Sequence, residues 1–333
     1  MKISMGNLQQ HSAFRQKGVA VITALLLTTL AVTIVASLFW QQQVQVRAIE
    51  NQRMQLQKQW ILRGALDWAQ LILRESDRTA ISGTVTLQQP WAVGLAETRL
   101  DSYVENGRSD SEASDATITG KIIDAQSLLN LRNLSVNGKE STSAIAVFKR
   151  LLDVLRLDPA LAAAAAKAMA AGQAKAPLPE EGMQPLPATA TQLEFAYIED
   201  LLSVPGFTPE IVKKLRGHVI FLPRATAVNV NTASAEVLQA IVDKLPPDGA
   251  KTMALARDKV PFNNTADMNA YIKDRFPTVV KEPDAGLLDV TSTYFLVDGK
   301  VKLNRAGLDV RALIERQPGK DVATKIRWVR ENQ

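Results

Sequence analysis

At 333 residues the chain has room for about two domains, and with 46% apolar and 22% charged residues neither wholesale disorder nor a polytopic membrane protein fits. Cysteine is absent and the histidines are His11 and His218, which excludes disulfide scaffolds, thiolate metal sites and His-rich metal clusters. The net charge of +5 owes much to Lys2, Arg15 and Lys17, which have no acid among them, while the basic C-terminal stretch from Lys300 to Arg330 is interleaved with Asp309, Glu315 and Asp321 and reads as a solvated strand surface.

From Val19 to Trp40 runs VAVITALLLTTLAVTIVASLFW, without a charge, long enough at about 1.5 Å per residue to span a bilayer core of about 30 Å. Val35-Ala36-Ser37 would serve as a secretory cleavage site, but the helical pattern continues past it through Val44, Ile49, Leu56, Trp60 and Leu66 to near Arg74. One long helix is expected, apolar in its first half and amphipathic in its second. The basic residues before it place the N-terminus in the cytoplasm and the bulk of the chain outside.

Beyond this helix, Thr84 to Gln88 and Thr117 to Ala125 read as strands, separated by a polar loop from Glu105 to Ser114. A helical region follows: Ile145 to Leu155, then Asp158-Pro159 as helix-start chemistry before an alanine-rich helix to Gly172, a proline-bearing loop over 173 to 191, and helices at Glu194 to Leu202, from Thr208-Pro209-Glu210, after Thr232 and over Thr265 to Phe276. Asn231 and Thr232 are expected to end a strand and cap a helix. At the C-terminus, Ser292 to Val297 and Lys300 to Asn304 flank Asp298-Gly299, the signature of a type I′ hairpin, and Leu308 to Arg316 pairs with Thr324 to Arg330 around Pro318 to Asp321.

The segment Arg15-Gln16-Lys17-Gly18-Val19 resembles the processing site of type IV pilin-like proteins, in which a basic leader ending in Gly is removed on the cytoplasmic side and the apolar anchor is kept. Most members have Glu at the fifth mature position, where this chain has Thr23. That departure is similar to the minor pseudopilin K family of type II secretion. The resemblance extends through Ala65-Leu66-Asp67-Trp68-Ala69, Pro90-Trp91-Ala92, Ile122-Ile123-Asp124-Ala125-Gln126, Leu129-Asn130-Leu131-Arg132-Asn133-Leu134 and Val228-Asn229-Val230-Asn231-Thr232-Ala233-Ser234.

The resemblance implies an α+β, pilin-like fold with a large inserted α-helical domain. The expected organisation is a leader over 1–18, a transmembrane half-helix over 19–40, a pilin-like part over 41–133, an inserted domain over 134–283 and closing strands over 284–333. It implies cleavage between Gly18 and Val19, no enzymatic activity, a single-pass inner-membrane anchor with a periplasmic head, and a place at the tip of the pseudopilus, with Thr23 as its determinant. The implied partners are other minor pseudopilins, the prepilin peptidase and the inner-membrane secretion platform, with the cargo or the outer-membrane channel above the tip and no nucleic acid. It also implies Ca²⁺ binding in some members; an ion with about six to eight oxygen ligands finds only Glu180, Glu181 and Glu194 in the corresponding region, so no cofactor is expected.

Two alternatives remain from the residues. Leu201 to Leu215 resembles a helix-hairpin-helix DNA module, with Gly206 near the backbone and Lys213 and Lys214 as phosphate contacts, but it lacks the second hairpin glycine. A type IV pilus minor pilin would share the anchor. His218, set among apolar residues, is expected to be structural.

Overall fold

The computed structural model describes residues 17–78, 80, 83–99, 116–173, 194–277, 279, 286–303, 306–317 and 323–332. The chain divides into two compact units, Met1–Trp60 and Ile61–Gln333.

Helix α1 spans Lys17–Arg78, so the apolar and amphipathic halves are one continuous element, as expected. It is long and apolar enough to cross a membrane, the uncharged run being Val19 to Trp40. Thr23, Thr28, Thr29 and Thr33 donate their hydroxyls to carbonyls three or four residues back, so their polar atoms are satisfied within the helix.

In the second unit the strands are β1 (Leu95–Arg99), β2 (Thr117–Asp124), β3 (Leu129–Asn130), β4 (Ser135–Val136), β5 (Lys139–Glu140), β6 (Val219–Ile220), β7 (Val228–Asn229), β8 (Leu288–Asp289), β9 (Tyr294–Leu303), β10 (Ala306–Gln317) and β11 (Ala323–Asn332). Five of them form an antiparallel sheet in the order β1-β2-β9-β10-β11. Side-chain alternation gives it two buried faces. Phe295, Val297, Ala312 and Ile314 pack with Trp91 against Leu66, Ala69 and Leu73 of α1, whereas Tyr294, Leu296 and Leu313 pack with Ala125 and Leu222 on the other side.

Because β2 and β9 are hydrogen-bonded neighbours, the 170 residues between their paired ends at Asp124 and Phe295 leave the sheet and return to it at one place, which is the geometry of an insertion. That excursion carries α2 (Thr142–Val154), α3 (Leu161–Gln173), α4 (Pro209–Leu215), α5 (Ala235–Ile241), α6 (Pro247–Lys259) and α7 (Thr265–Arg275), with a core of its own that includes Phe148, Leu151, Leu215, Leu238 and Met253. Several helix starts follow local chemistry: Ser141, Thr208, Ser234 and Asn264 each accept a backbone N–H three residues on. The architecture is thus the long helix, antiparallel sheet and helical insertion expected.

Four local expectations need correction. Asp298-Gly299 makes no turn, since β9 runs straight through it; Asp298 is ion-paired to Arg311, and Gly299 lies opposite Gly120, where an added Cβ on Gly120 would come within 3.2 Å of the Asp298 carbonyl. Thr84 to Gln88 is irregular backbone, held by the Val85 N–H on the Val290 carbonyl, and the first strand is β1 instead. Ile198–Ser203 is a 3₁₀ helix. The cap of α5 is Ser234; Thr232 turns inward to Asp124. The loop at 105–114, most of the proline-bearing segment and the turn at 318–321 lie outside the described residues.

Candidate functional site

The processing residues Gly18 and Val19 lie in the first turn of α1, and both are exposed. Thr23 is exposed on the same helix, with its hydroxyl 3.0 Å from the Ala20 carbonyl, so the fifth residue after Gly18 presents a neutral, internally satisfied group where a carboxylate would carry charge.

A second set of motif residues, far apart in the chain, converges where the insertion joins the sheet. Asp124, at the end of β2, is 1% exposed. Its Oδ1 accepts the Gln126 N–H at 2.8 Å, and its Oδ2 accepts the Ser292 hydroxyl at 2.6 Å, the Thr232 hydroxyl at 2.6 Å and the Asn229 amide at 2.9 Å. Burial pushes this carboxyl above its ordinary value, opposed by the four hydrogen bonds that favour the ionised form. Asn229 also reaches the Val85 carbonyl at 3.0 Å, linking the segment after α1 to the same point.

The neighbouring asparagines are used the same way. Asn130 donates to the Arg224 carbonyl and the Thr226 hydroxyl and accepts from Leu222; Asn133 makes a reciprocal pair with the Thr226 backbone at 2.7 and 3.1 Å; Asn231 does so with Phe262 at 2.9 Å each way. Gln126 closes the loop by donating to the Ala227 carbonyl and accepting from Thr293. Buried amides of this kind must be fully bonded, and here they tie the strand exit, the 222–232 segment and the return into β9 into one polar staple. Chemically, the arrangement fixes geometry.

The helix is tied to the sheet by Arg316, which is 1% exposed on β10. Its guanidinium donates to the Leu73 carbonyl at 3.3 Å and the Ser292 carbonyl at 3.2 Å, stands 3.2 Å from an Asp77 oxygen, and lies 4.7 Å above the Phe295 ring. The separate cluster of Glu315 with Arg224, Arg327 and Tyr294 closes the opposite face.

Glu180 and Glu181 lie outside the described residues, and Glu194 is ion-paired with Arg132. Among the described residues there is no group of three or more His, Cys, Asp or Glu close enough to share an ion. Gly206 has φ +98°, a backbone conformation that favours glycine, and a Cβ there would also press on a Leu161 methyl at 2.8 Å, so the glycine has a structural reason. Lys213 and Lys214 are exposed on α4. His218 is half-buried; burial pushes its imidazole down, with Glu236 opposing, and its carbonyl accepts the Leu129 N–H at 2.8 Å.

Family models described as type II secretion system, protein K, match residues 127–224 and 228–274, the segments that hold the asparagine staples. The resemblance to the type II secretion system protein K family is thus borne out by these matches. A relative, type II secretion system protein K of Aeromonas hydrophila, is 25% identical over 308 residues, 85% of this chain and 88% of the relative. Among solved structures, the crystal structure of the GspK-GspI-GspJ complex from enterotoxigenic Escherichia coli contains a chain with TM-score 0.61 and 20% identity, covering 86% of this chain and 99% of that one, a likeness of fold. Together these matches support a minor pseudopilin of type II secretion, with an apolar N-terminal helix suited to a single-pass membrane anchor. The family is structural and is not one of known enzymes.

Proposed function

We propose that this pseudopilin sits at the tip of the periplasmic pseudopilus, where it starts assembly and supports export across the outer membrane. The observation that carries this is the helical insertion returning to the sheet between adjacent strands: a body of this bulk suits the top of a filament, where there is space above it, better than a repeated position in a tight helical array. Thr23 supports the same reading. After cleavage the amine of Val19 must enter an apolar bundle, where an unpaired charge is expensive; a subunit that docks beneath no other has no neighbour's amine to neutralise, and a neutral Thr23 suffices.

In this account the leader is cytoplasmic and the head periplasmic, the prepilin peptidase cuts after Gly18, the secretion platform in the inner membrane receives the processed subunit, and the head contacts other minor pseudopilins. The E. coli relative is found with GspI and GspJ, which favours partners of that class. Contact with cargo or the outer-membrane channel follows from the tip position.

Mass spectrometry of the mature protein tests the anchor. It should begin at Val19, carrying an added N-methyl group, and substitution of Gly18 by a bulky residue should leave an uncut precursor that supports no secretion. A mature start near Leu38 would mean removal of the anchor and would overturn the reading. Thr23→Glu should retain more secretion than removal of residues 142–277.

A further inference from the structure

A cleft on the side of the sheet away from α1 lies between β11 and the 196–199 segment, with Leu128, Phe221 and Leu296 among its apolar lining. At its mouth the Arg330 guanidinium is stacked between two aromatic rings, 3.7 Å from the Tyr197 centroid and 3.9 Å from that of Trp328. A guanidinium has five N–H donors in its plane, so stacking and one hydrogen bond to Tyr197 leave others on the edge that matches a carboxylate.

The acids around Arg330 are already committed. Glu199 is bonded to Arg216 at 2.9 Å, Asp200 accepts the Ala196 and Tyr197 N–H groups at 2.8 Å each, and Asp298 forms a two-point pair with Arg311 at 2.6 and 3.0 Å. Among the described residues no carboxylate lies within ion-pair distance of Arg330. Burial pushes this guanidinium below its ordinary value, opposed by Tyr197, which also shares a side-chain hydrogen bond with it, and by the charges of Glu199 and Asp200. The site is also held ready: Asp200 fixes the backbone at Tyr197, and Phe195 packs edge-on against Phe221 at 6.2 Å.

We propose that this cleft is a docking site for an acidic peptide segment of a partner protein, with Arg330 receiving a carboxylate and the neighbouring apolar side chain of the peptide entering over Leu128 and Phe221. Charge complementarity selects this occupant, because the lining of the cleft carries Arg216, Arg311 and Arg330 against the one acid Glu199.

The test uses the full-length protein in detergent and two fluorescein-labelled probes, a short peptide of alternating glutamate and leucine and its glutamine counterpart. Fluorescence anisotropy should show the glutamate peptide binding about tenfold more tightly. Arg330→Gln should erase this preference, Arg330→Lys, which keeps the charge without the planar fork, should retain part of it, and Lys325→Gln should keep it. Equal affinity for both peptides, no measurable binding of either, a preference unchanged in Arg330→Gln, or equal loss in Lys325→Gln would each overturn the proposal. Melting temperatures of the variants check folding, and if Arg330→Gln fails to fold, Arg330→Lys against Lys325→Gln decides.

Discussion

Asp124→Ala is expected to lower the stability of the head by about 3 kcal/mol or more, because it leaves the Ser292 and Thr232 hydroxyls, the Asn229 amide and the Gln126 N–H buried with their shared acceptor removed. Denaturant unfolding followed by circular dichroism measures this. Asp124→Asn should cost less, since its carbonyl oxygen can face the cluster of three donors, but its NH₂ then confronts the Gln126 N–H.

The pH dependence has a defined sign. The folded-state carboxyl is raised above its ordinary value, so the folded state holds its proton more tightly than the unfolded chain does. The stability this contributes is complete below the ordinary carboxylate value of 3.8 and is lost as pH rises through the raised value. The stability of the natural protein relative to Asp124→Asn should therefore decline over that window and be flat above it. A relative stability that rises with pH there would mean that the hydrogen bonds outweigh burial and the shift has the opposite sign.

Arg316→Met is expected to cost about 3 to 5 kcal/mol, the usual range for removing one partner of a buried charge pair. The methionine still fills volume over Phe295, but Asp77, 9% exposed, is left without its cation, and the Leu73 and Ser292 carbonyls lose their donor. The contact with Asp77 is a charge pair at 3.2 Å lacking in-line hydrogen-bond geometry, so most of the coupling should be electrostatic. In a double-mutant cycle, Asp77→Asn added to Arg316→Met should recover part of the loss. Additive costs would place the effect in the two carbonyl bonds instead.

The sequence exposed the parts of the fold that depend on neighbours in the chain. The anchor helix was legible because its apolar run and the later amphipathic pattern share one period, and α4 because Thr208-Pro209 combines a cap with a fixed φ. The β10–β11 pairing followed from two alternating runs. Local signals misled where distant partners decide. Asp298-Gly299 has hairpin chemistry, but β2 and β10 flank that stretch and keep it extended. Helix α6 went unseen because among its many charged and polar residues only Gly249, Ala250, Met253 and Arg257 are buried, too thin a stripe to show a period.

The junction shows the same limit more sharply. Its motifs were visible as resemblance, but their physics was hidden, because Asp124 meets partners 105, 108 and 168 residues away. Thr232, which precedes a helix in the sequence, was read as a cap for that reason, although Ser234 stands closer to the helix start and frees Thr232 to reach Asp124. The Arg330 cleft left no mark either: Tyr197 and Trp328 are 131 residues apart, and only the fold brings both rings against one guanidinium.

The tip position is tested most directly by cross-linking in assembled pseudopili, using single cysteines placed along residues 19–40 of a chain that contains none of its own. A subunit at the tip, present once, should give adducts with other minor pseudopilins and none between copies of itself. Regular self-adducts along the filament would contradict the account, because they would place the helical insertion and the neutral Thr23 at every level of the bundle.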